Sequence, residues 1–161
     1  MNEIKELLDP FEPITLQEMD RVKLMNRMDT KFAFRFNDLN RLLPLLTSNY
    51  RVLTIEGTNT PHYESLYFDD ERFSFFRDHH NGKGNRFKIR ERVYVQSDLK
   101  YVEIKSKTNR NQTVKSRKEI INWLEAKDFI QDHTAILASD LHRSLYSEYN
   151  RITLLHKEKK E

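Results

Sequence analysis

One stretch of the chain decides the fold, and it reads RFKIRERVY over residues 86–94. Phe87, Ile89 and Val93 fall on one face of an extended backbone, and the opposite face carries Lys, Arg and Tyr. Because successive side chains of a β-strand point to opposite faces, this alternation predicts a strand with one apolar and one basic face.

Two later stretches repeat this design. Strands are predicted over residues 101–107 and 113–120, separated from their neighbours by polar turns at 97–98 and 109–111. In each strand, cationic side chains occupy alternate positions. Short turns between consecutive strands are typical of antiparallel pairing. The sequence therefore predicts an α+β fold containing an antiparallel sheet with one basic face.

The concentration of charge on this face is informative. The whole chain carries a net charge of only +3, but residues 86–117 contain ten Lys or Arg against three Asp or Glu. Two cations about 5 Å apart repel by roughly 3 kcal/mol at an effective dielectric constant of about 20. Two arrangements accommodate the pattern, a half-solvated sheet or a barrel with a basic interior. The crowding favours the barrel, with a polyanion such as phosphate between the cations.

Composition excludes several other classes of protein. The chain has no Cys, which excludes disulfides, thiolate zinc sites and a thiol nucleophile. Its apolar runs are too short to span a bilayer. The charged beginning, MNEIKE, is unlike a signal peptide. We therefore expect no membrane segment and a cytoplasmic location.

Other patterns predict the surrounding elements. Capping boxes at residues 15–18 and 122–125 predict helix starts. The alternation in KFAFRF, residues 31–36, predicts a strand with three Phe on one face. A helix is predicted over residues 134–141 and a last strand over residues 143–155.

The basic strands resemble a known family. The run over residues 86–94, followed by EIKSK at 103–107, is similar to the VTC domain. That domain is the polyphosphate polymerase of the vacuolar transporter chaperone family and belongs to the wider triphosphate tunnel group. Four further pieces match in chain order: RMDTK at 27–31, SLYFD at 65–69, KSR at 115–117 and YNR at 149–151.

The resemblance implies an antiparallel β tunnel lined with Lys and Arg and wrapped by helices. It makes residues 1–161 a single domain, the larger N-terminal part of a longer one. Family members continue with an Arg-x-Thr-x-Asp strand and an acidic metal ligand, which we expect beyond Glu161. Without them, we expect little turnover from these residues alone.

The implied activity transfers the γ-phosphate of ATP to a growing polyphosphate chain, with Mn²⁺ or Mg²⁺ as the metal. Motif matching places catalytic candidates at Lys31, Arg90, Arg92 and Lys105. The further phosphate-binding candidates are Lys88, Lys107, Lys115, Arg117, Tyr149, Arg151 and His79. Some family members carry Arg near the position of His79. Glu103 is a candidate metal ligand, although an ion pair with a neighbouring cation is the favoured interpretation.

Two other functions remain open from the residues. A non-catalytic domain could bind polyphosphate, inorganic phosphate or a nucleotide with the same cations. A single-stranded nucleic-acid module would combine cations with stacking aromatics, but the aromatic side chains are predicted to lie mostly opposite the cations. Tunnel triphosphatases begin with Glu-x-Glu-x-Lys, whereas RMDTK at 27–31 has a single acid. The resemblance therefore favours a polymerase, with no nucleic-acid partner.

These patterns make a structural prediction. We expect the cations to converge on one concave surface and Phe87, Ile89 and Ile104 to lie on the opposite face beneath helices. The cations are Lys88, Arg90, Arg92, Lys105 and Lys115. Coordinates that place them on a convex, fully solvated face would contradict the barrel interpretation.

Overall fold

The structure is a computed structural model that describes residues 2–20, 30–110 and 112–158. The chain forms two compact units. One contains Met1–Pro61 with Asn150–Glu161, and the other contains His62–Tyr149.

The described residues of the first unit form a three-stranded sheet and three helices. Its elements are α1 (Asn2–Leu8), β1 (Glu12–Ile14), α2 (Leu16–Asp20), α3 (Leu39–Leu46), β2 (Tyr50–Leu53) and β8 (Leu154–His156). Strand β2 is central, parallel to β1 and antiparallel to β8. Leu8, Leu43 and Val52 are buried together between α1, α3 and the sheet.

The first predicted capping box is confirmed. The Glu18 carboxylate accepts hydrogen bonds from the backbone N–H of Thr15 (2.9 Å) and from its hydroxyl (2.8 Å). The Thr15 hydroxyl in turn accepts from the backbone N–H of Glu18 at 3.3 Å. This reciprocal pair fixes the start of α2. The predicted continuation of that helix, and residues 27–29 of the RMDTK motif, lie outside the described residues.

The strand predicted over residues 31–36 is wrong. Residues 30–35 pair with no strand among the described residues, and Phe36–Asp38 forms a 3₁₀ turn. The three phenylalanines are exposed, with Phe32 at 82%. Alternation marks a potential strand, but a strand forms only where a neighbour supplies backbone hydrogen bonds.

The second unit contains a five-stranded sheet and two helices. Its elements are β3 (His62–Asp69), α4 (Ser74–His80), β4 (Arg86–Tyr94), β5 (Leu99–Lys107), β6 (Thr113–Glu119), α5 (Trp123–His133) and β7 (His142–Asn150). The strand order is β6-β5-β4-β3-β7, and the pairs from β3 to β6 are antiparallel. The predicted α+β class with an antiparallel sheet is confirmed. Among the described residues this sheet is open, with β6 and β7 at its edges.

One face of this sheet is covered by α5. Ile89 and Ile104 are cross-strand partners and both are buried. They pack with Phe129 and Ile130 of α5 in the core of the unit. Complete burial of one such side chain contributes about 1.5–3 kcal/mol. The apolar positions of the alternating strands therefore lie beneath a helix, as predicted.

Helix α5 begins where its capping box predicted. The Asn122 side-chain oxygen accepts from the backbone N–H groups of Leu124 (3.0 Å) and Glu125 (3.2 Å). The Glu125 carboxylate accepts from the backbone N–H of Ile121 at 3.1 Å. These contacts satisfy N–H groups that have no partner within the helix.

Two predictions for the C-terminal third are wrong. The helix predicted over residues 134–141 is reduced to a 3₁₀ turn at Ala138–Asp140. The strand predicted over residues 143–155 is two strands, β7 and β8, which belong to different sheets. Between them, the backbone N–H of Arg151 donates to the carbonyl of Pro61 at 3.0 Å. Local alternation cannot reveal such a change of partner.

Two carboxylates position the start of α4. Asp69, only 3% exposed, accepts from the backbone N–H groups of Phe75 and Phe76 at 2.9 Å each. Asp70 accepts from the backbone N–H groups of Arg72 and Ser74 at 2.9 Å. The end of β3 is thus connected directly to the helix that follows it.

The contacts of Asp70 predict an acid-sensitive contribution to stability. Backbone and side-chain hydrogen bonds from Ser74 hold the pKa of Asp70 below its usual 3.8. Its stabilising contribution is therefore fully present above pH 3.8 and is lost as the pH falls through the lower pKa of the folded state. We expect Asp70→Ala to lower the thermal midpoint at pH 7 and to reduce its fall in acid. The control is Asp132→Ala, at an exposed site on α5. In thermal unfolding curves it should change neither the midpoint at pH 7 nor the fall of the midpoint in acid.

Candidate functional site

The strand register brings lysines from three strands into one row. Lys88 on β4 lies opposite Lys105 on β5, which lies opposite Lys115 on β6. Side chains directly opposite one another have Cβ atoms about 4.5–5.5 Å apart, and like charges in such pairs destabilise the sheet. All three lysines are exposed to solvent.

The next row is held by a partly buried ion pair. Arg90 lies opposite both Tyr67 and Glu103. Its Nε donates to Glu103 Oε2 at 2.7 Å, and its Nη1 donates to the Tyr67 hydroxyl at 2.8 Å. Burial lowers the pKa of the Arg90 guanidinium, but the Glu103 charge and these hydrogen bonds outweigh burial and raise that pKa overall. Arg90 is therefore a permanent cation in a fixed orientation.

Arg92 is enclosed by polar and aromatic side chains. Its Nε donates to the Ser65 hydroxyl at 3.2 Å, and its Nη1 lies 3.8 Å from Glu103 Oε2. The guanidinium carbon is 5.7 Å from the ring centroid of Tyr63 and 5.9 Å from that of Tyr149. Only 11% of the side chain is exposed. Cation–π contacts of this kind hold an arginine in place.

Glu103 is the shared counter-charge of this face. Besides Arg90 and Arg92, it accepts from the Tyr94 hydroxyl at 3.4 Å. Both carboxylate oxygens are thus engaged by cations or a hydroxyl donor. A carboxylate held between two guanidiniums lies in a positive environment, which disfavours a metal cation.

The rows enclose a cleft of about 560 Å³ on the basic face. Five cationic side chains and one carboxylate, Glu103, line it. The cations are Lys88, Arg90, Lys105, Lys115 and Arg117. A concave surface lined by five cations and one carboxylate is suited to an anion that presents several charged oxygens.

The predicted shared face is confirmed, since the register places Lys88, Arg90, Arg92, Lys105 and Lys115 on the same side of the sheet. Arg92 lies on this face outside the lining of the cleft. The phosphate-binding roles of these residues stay predictions.

The other predicted residues fall around this core or in the first unit. Lys107 lies opposite Arg86 at one end of the face. On α4, His79 Nε2 is 3.4 Å from the Nζ of Lys88. Lys31 and Arg151 belong to the first unit, where both are exposed.

Sequence reasoning missed three tyrosines of this face, Tyr63, Tyr67 and Tyr101. Tyr63 and Tyr67 alternate with the helix-facing residues of β3, and Tyr101 contacts Arg117 with its ring centroid 5.3 Å from the guanidinium carbon. The expectation that aromatics lie mostly opposite the cations holds for Phe87 but is wrong for these tyrosines. The period-two pattern of β3 contained the signal, because residues 63, 65 and 67 share a face.

A second polar cluster lies on the opposite face of the sheet. His62 Nε2 is 3.9 Å from Glu64 and 4.0 Å from Glu148. The three ligand-type atoms lie within 4.8 Å of one another. His62 and Glu64, both on β3, alternate with the tyrosines of the basic face. This cluster is therefore separate from the cleft.

A comparison with known protein families identifies the family of this chain. The model of the VTC domain matches residues 26–160. The chain belongs to the VTC domain family. No curated protein matches it. Within the described part of this VTC domain, none of the helices has the length and apolar character needed to cross a membrane.

Repulsion within the lysine row should lower the thermal stability of the VTC domain when no anion occupies the cleft. Removing one charge with Lys115→Gln should raise the thermal midpoint by about 1–3 °C at low salt, because it relieves repulsion from Lys105. The gain should shrink in high salt, which screens charge. Lys118→Gln, on the other face of the same strand, is the matched control. Equal thermal midpoints for the two variants would show that repulsion within the lysine row does not lower stability.

Proposed function

We propose that this VTC domain is a polyphosphate polymerase that transfers the γ-phosphate of ATP to the end of a growing polyphosphate chain. The observation that carries the proposal is the convergence of five cations from three adjacent strands on one cleft. Membership of the VTC family supports a function related to polyphosphate.

The residue types suit phosphoryl transfer. In that reaction, catalysis consists mainly of positioning and charge stabilisation. A terminal phosphate oxygen of the acceptor would attack the γ-phosphorus, and the bond to the bridging oxygen would break to release ADP. Because the attacking oxygen is already anionic, no general base is needed.

The cations of the cleft would divide this work. Lys88, Lys105 and Lys115 carry compact charges on flexible stems that can follow phosphate oxygens. Arg90 is held by Glu103 and Tyr67, so its field requires no reorganisation during the reaction. Lys31 and Arg92 are proposed to contribute on the basis of the family motifs.

The described residues of this face do not fit a direct metal site. Glu103 is engaged by Arg90 and Tyr94, and Glu119 accepts from the Tyr101 hydroxyl at 3.2 Å. Mg²⁺ in phosphate-transfer sites is commonly held by substrate phosphates with one or two carboxylates. The requirement for Mn²⁺ or Mg²⁺ is therefore proposed from the family resemblance alone.

A second candidate is binding of polyphosphate without turnover. Lys115 and Arg117 lie on the edge strand β6 and are exposed, so water reaches this side of the cleft. Water weakens electrostatic stabilisation of a transition state more than it prevents binding of a polyanion.

Binding is the first test of the proposal. Polyphosphate should bind with an affinity that falls steeply as salt rises. Arg90→Ala should weaken binding by roughly 1–3 kcal/mol in titration calorimetry, as expected for loss of a charged hydrogen-bond donor. Lys118→Gln should bind normally. Equal affinity for polyphosphate and single-stranded RNA of matched charge would favour the nucleic-acid function instead.

Turnover is the second test. A chain that includes the expected Arg-x-Thr-x-Asp strand, incubated with ATP and Mn²⁺ or Mg²⁺, should produce ADP and polyphosphate, resolved on a gel, whereas residues 1–161 alone are expected to produce little. Arg92→Ala and Lys31→Ala should abolish the product, whereas Lys118→Gln should retain it. Tight polyphosphate binding without product under any of these conditions would favour the non-catalytic alternative.

A further inference from the structure

A second cavity adjoins the basic cleft. Its volume is about 810 Å³, within the range of about 300–1,000 Å³ that is usual for small-molecule sites. Tyr67 and Lys88 line both the cleft and this cavity. A ligand could therefore extend from one into the other past these two side chains.

The lining of the cavity is mainly apolar and includes six Phe or Tyr residues. Phe73, Phe76 and Phe87 contribute rings, and Leu145 of β7 lies in the same lining. Phe73, Phe76 and Leu145 are 54%, 65% and 60% exposed. A cluster of large apolar side chains left open to solvent beside a polar cleft is typical of a binding surface.

The backbone holds these rings in place. The buried Asp69 carboxylate accepts from the N–H of Phe76, which ties the first turn of α4 to the end of β3. His80 stacks against the Phe76 ring with centroids 6.1 Å apart. Phe73 adopts a left-handed backbone conformation, with φ of 52°. That conformation is unfavourable for a bulky residue. The aromatic wall is thus prepared before any ligand arrives.

We propose that this cavity, the aromatic pocket, receives the nucleobase of a nucleotide whose phosphates lie in the basic cleft. The inference rests on the proposed function, which requires a nucleoside triphosphate. Such a molecule is anionic at one end and a flat ring at the other, matching the cleft and the pocket in turn. Aromatic side chains stack on nucleobases without regard to their identity.

The chemistry of the pocket favours a base over a lipid tail. Arg72 and Arg77 also line it, and both are exposed. An aliphatic tail gains most from an enclosure without charge. A nucleobase and its ribose, in contrast, can use flat rings together with polar groups at the rim.

The test compares ATP with inorganic tripolyphosphate, which lacks the base. By charge alone, tripolyphosphate should bind at least as tightly. If the pocket holds the base, ATP binds more tightly than tripolyphosphate. Phe76→Ala should then weaken the binding of ATP roughly 5- to 100-fold, since stacking contributes that much per base. The same variant should change the affinity for tripolyphosphate by no more than about twofold. Phe76→Trp should retain ATP affinity, and Leu124→Ala, at an exposed position of α5, is a control for lost apolar surface.

The outcomes separate this inference from the proposed function. If Phe76→Ala leaves ATP binding unchanged while tripolyphosphate still binds, the pocket assignment is wrong and the phosphate cleft stands. If neither ligand binds to the unchanged protein, the proposed function itself fails, and this inference fails with it. Tighter binding of a prenyl diphosphate than of ATP, lost in Phe76→Ala, would assign the pocket to a lipid tail and overturn the inference.

Discussion

Repulsion between like charges on adjacent strands is the constraint on which the basic face depends. Glu103 offsets part of it, because its carboxylate lies between Arg90 and Arg92 and fixes their orientations. Lys88, Lys105 and Lys115 form a row of cations at facing positions of adjacent strands. The sheet therefore keeps a positive charge that an anion can neutralise, and ligand binding and stability become linked.

The opposite face of the same sheet stabilises this arrangement. Ile89 and Ile104 are buried beneath α5, and the ring of Trp123 stacks on Phe68 with centroids 4.2 Å apart. A strand with two unlike faces can combine a packed core with a charged surface, because its side chains alternate. The repulsion on one side is tolerated because apolar burial on the other side exceeds it.

The junction between β3 and α4 connects the two cavities. Tyr67 binds Arg90 in the cleft, and two residues later Asp69 binds the backbone of Phe76 in the aromatic pocket. The five-residue piece at 65–69 thus contributes to both sites through alternate side chains. Its resemblance to the VTC motif was visible in the sequence. The sequence alone could not identify these contacts, since the partners of Tyr67 and Asp69 lie on other elements.

Periodicity by itself determined β4 to β6, the face that each cation occupies, and the helix starts at Thr15 and Asn122, because these depend on residues close in the chain. Tertiary structure decided which cations become neighbours, since the register of Lys88, Lys105 and Lys115 depends on pairing between distant segments. The same reason explains the failed strand at 31–36. Its alternation was real, but a strand requires a partner, and hydrogen bonds to another segment are a property of the fold.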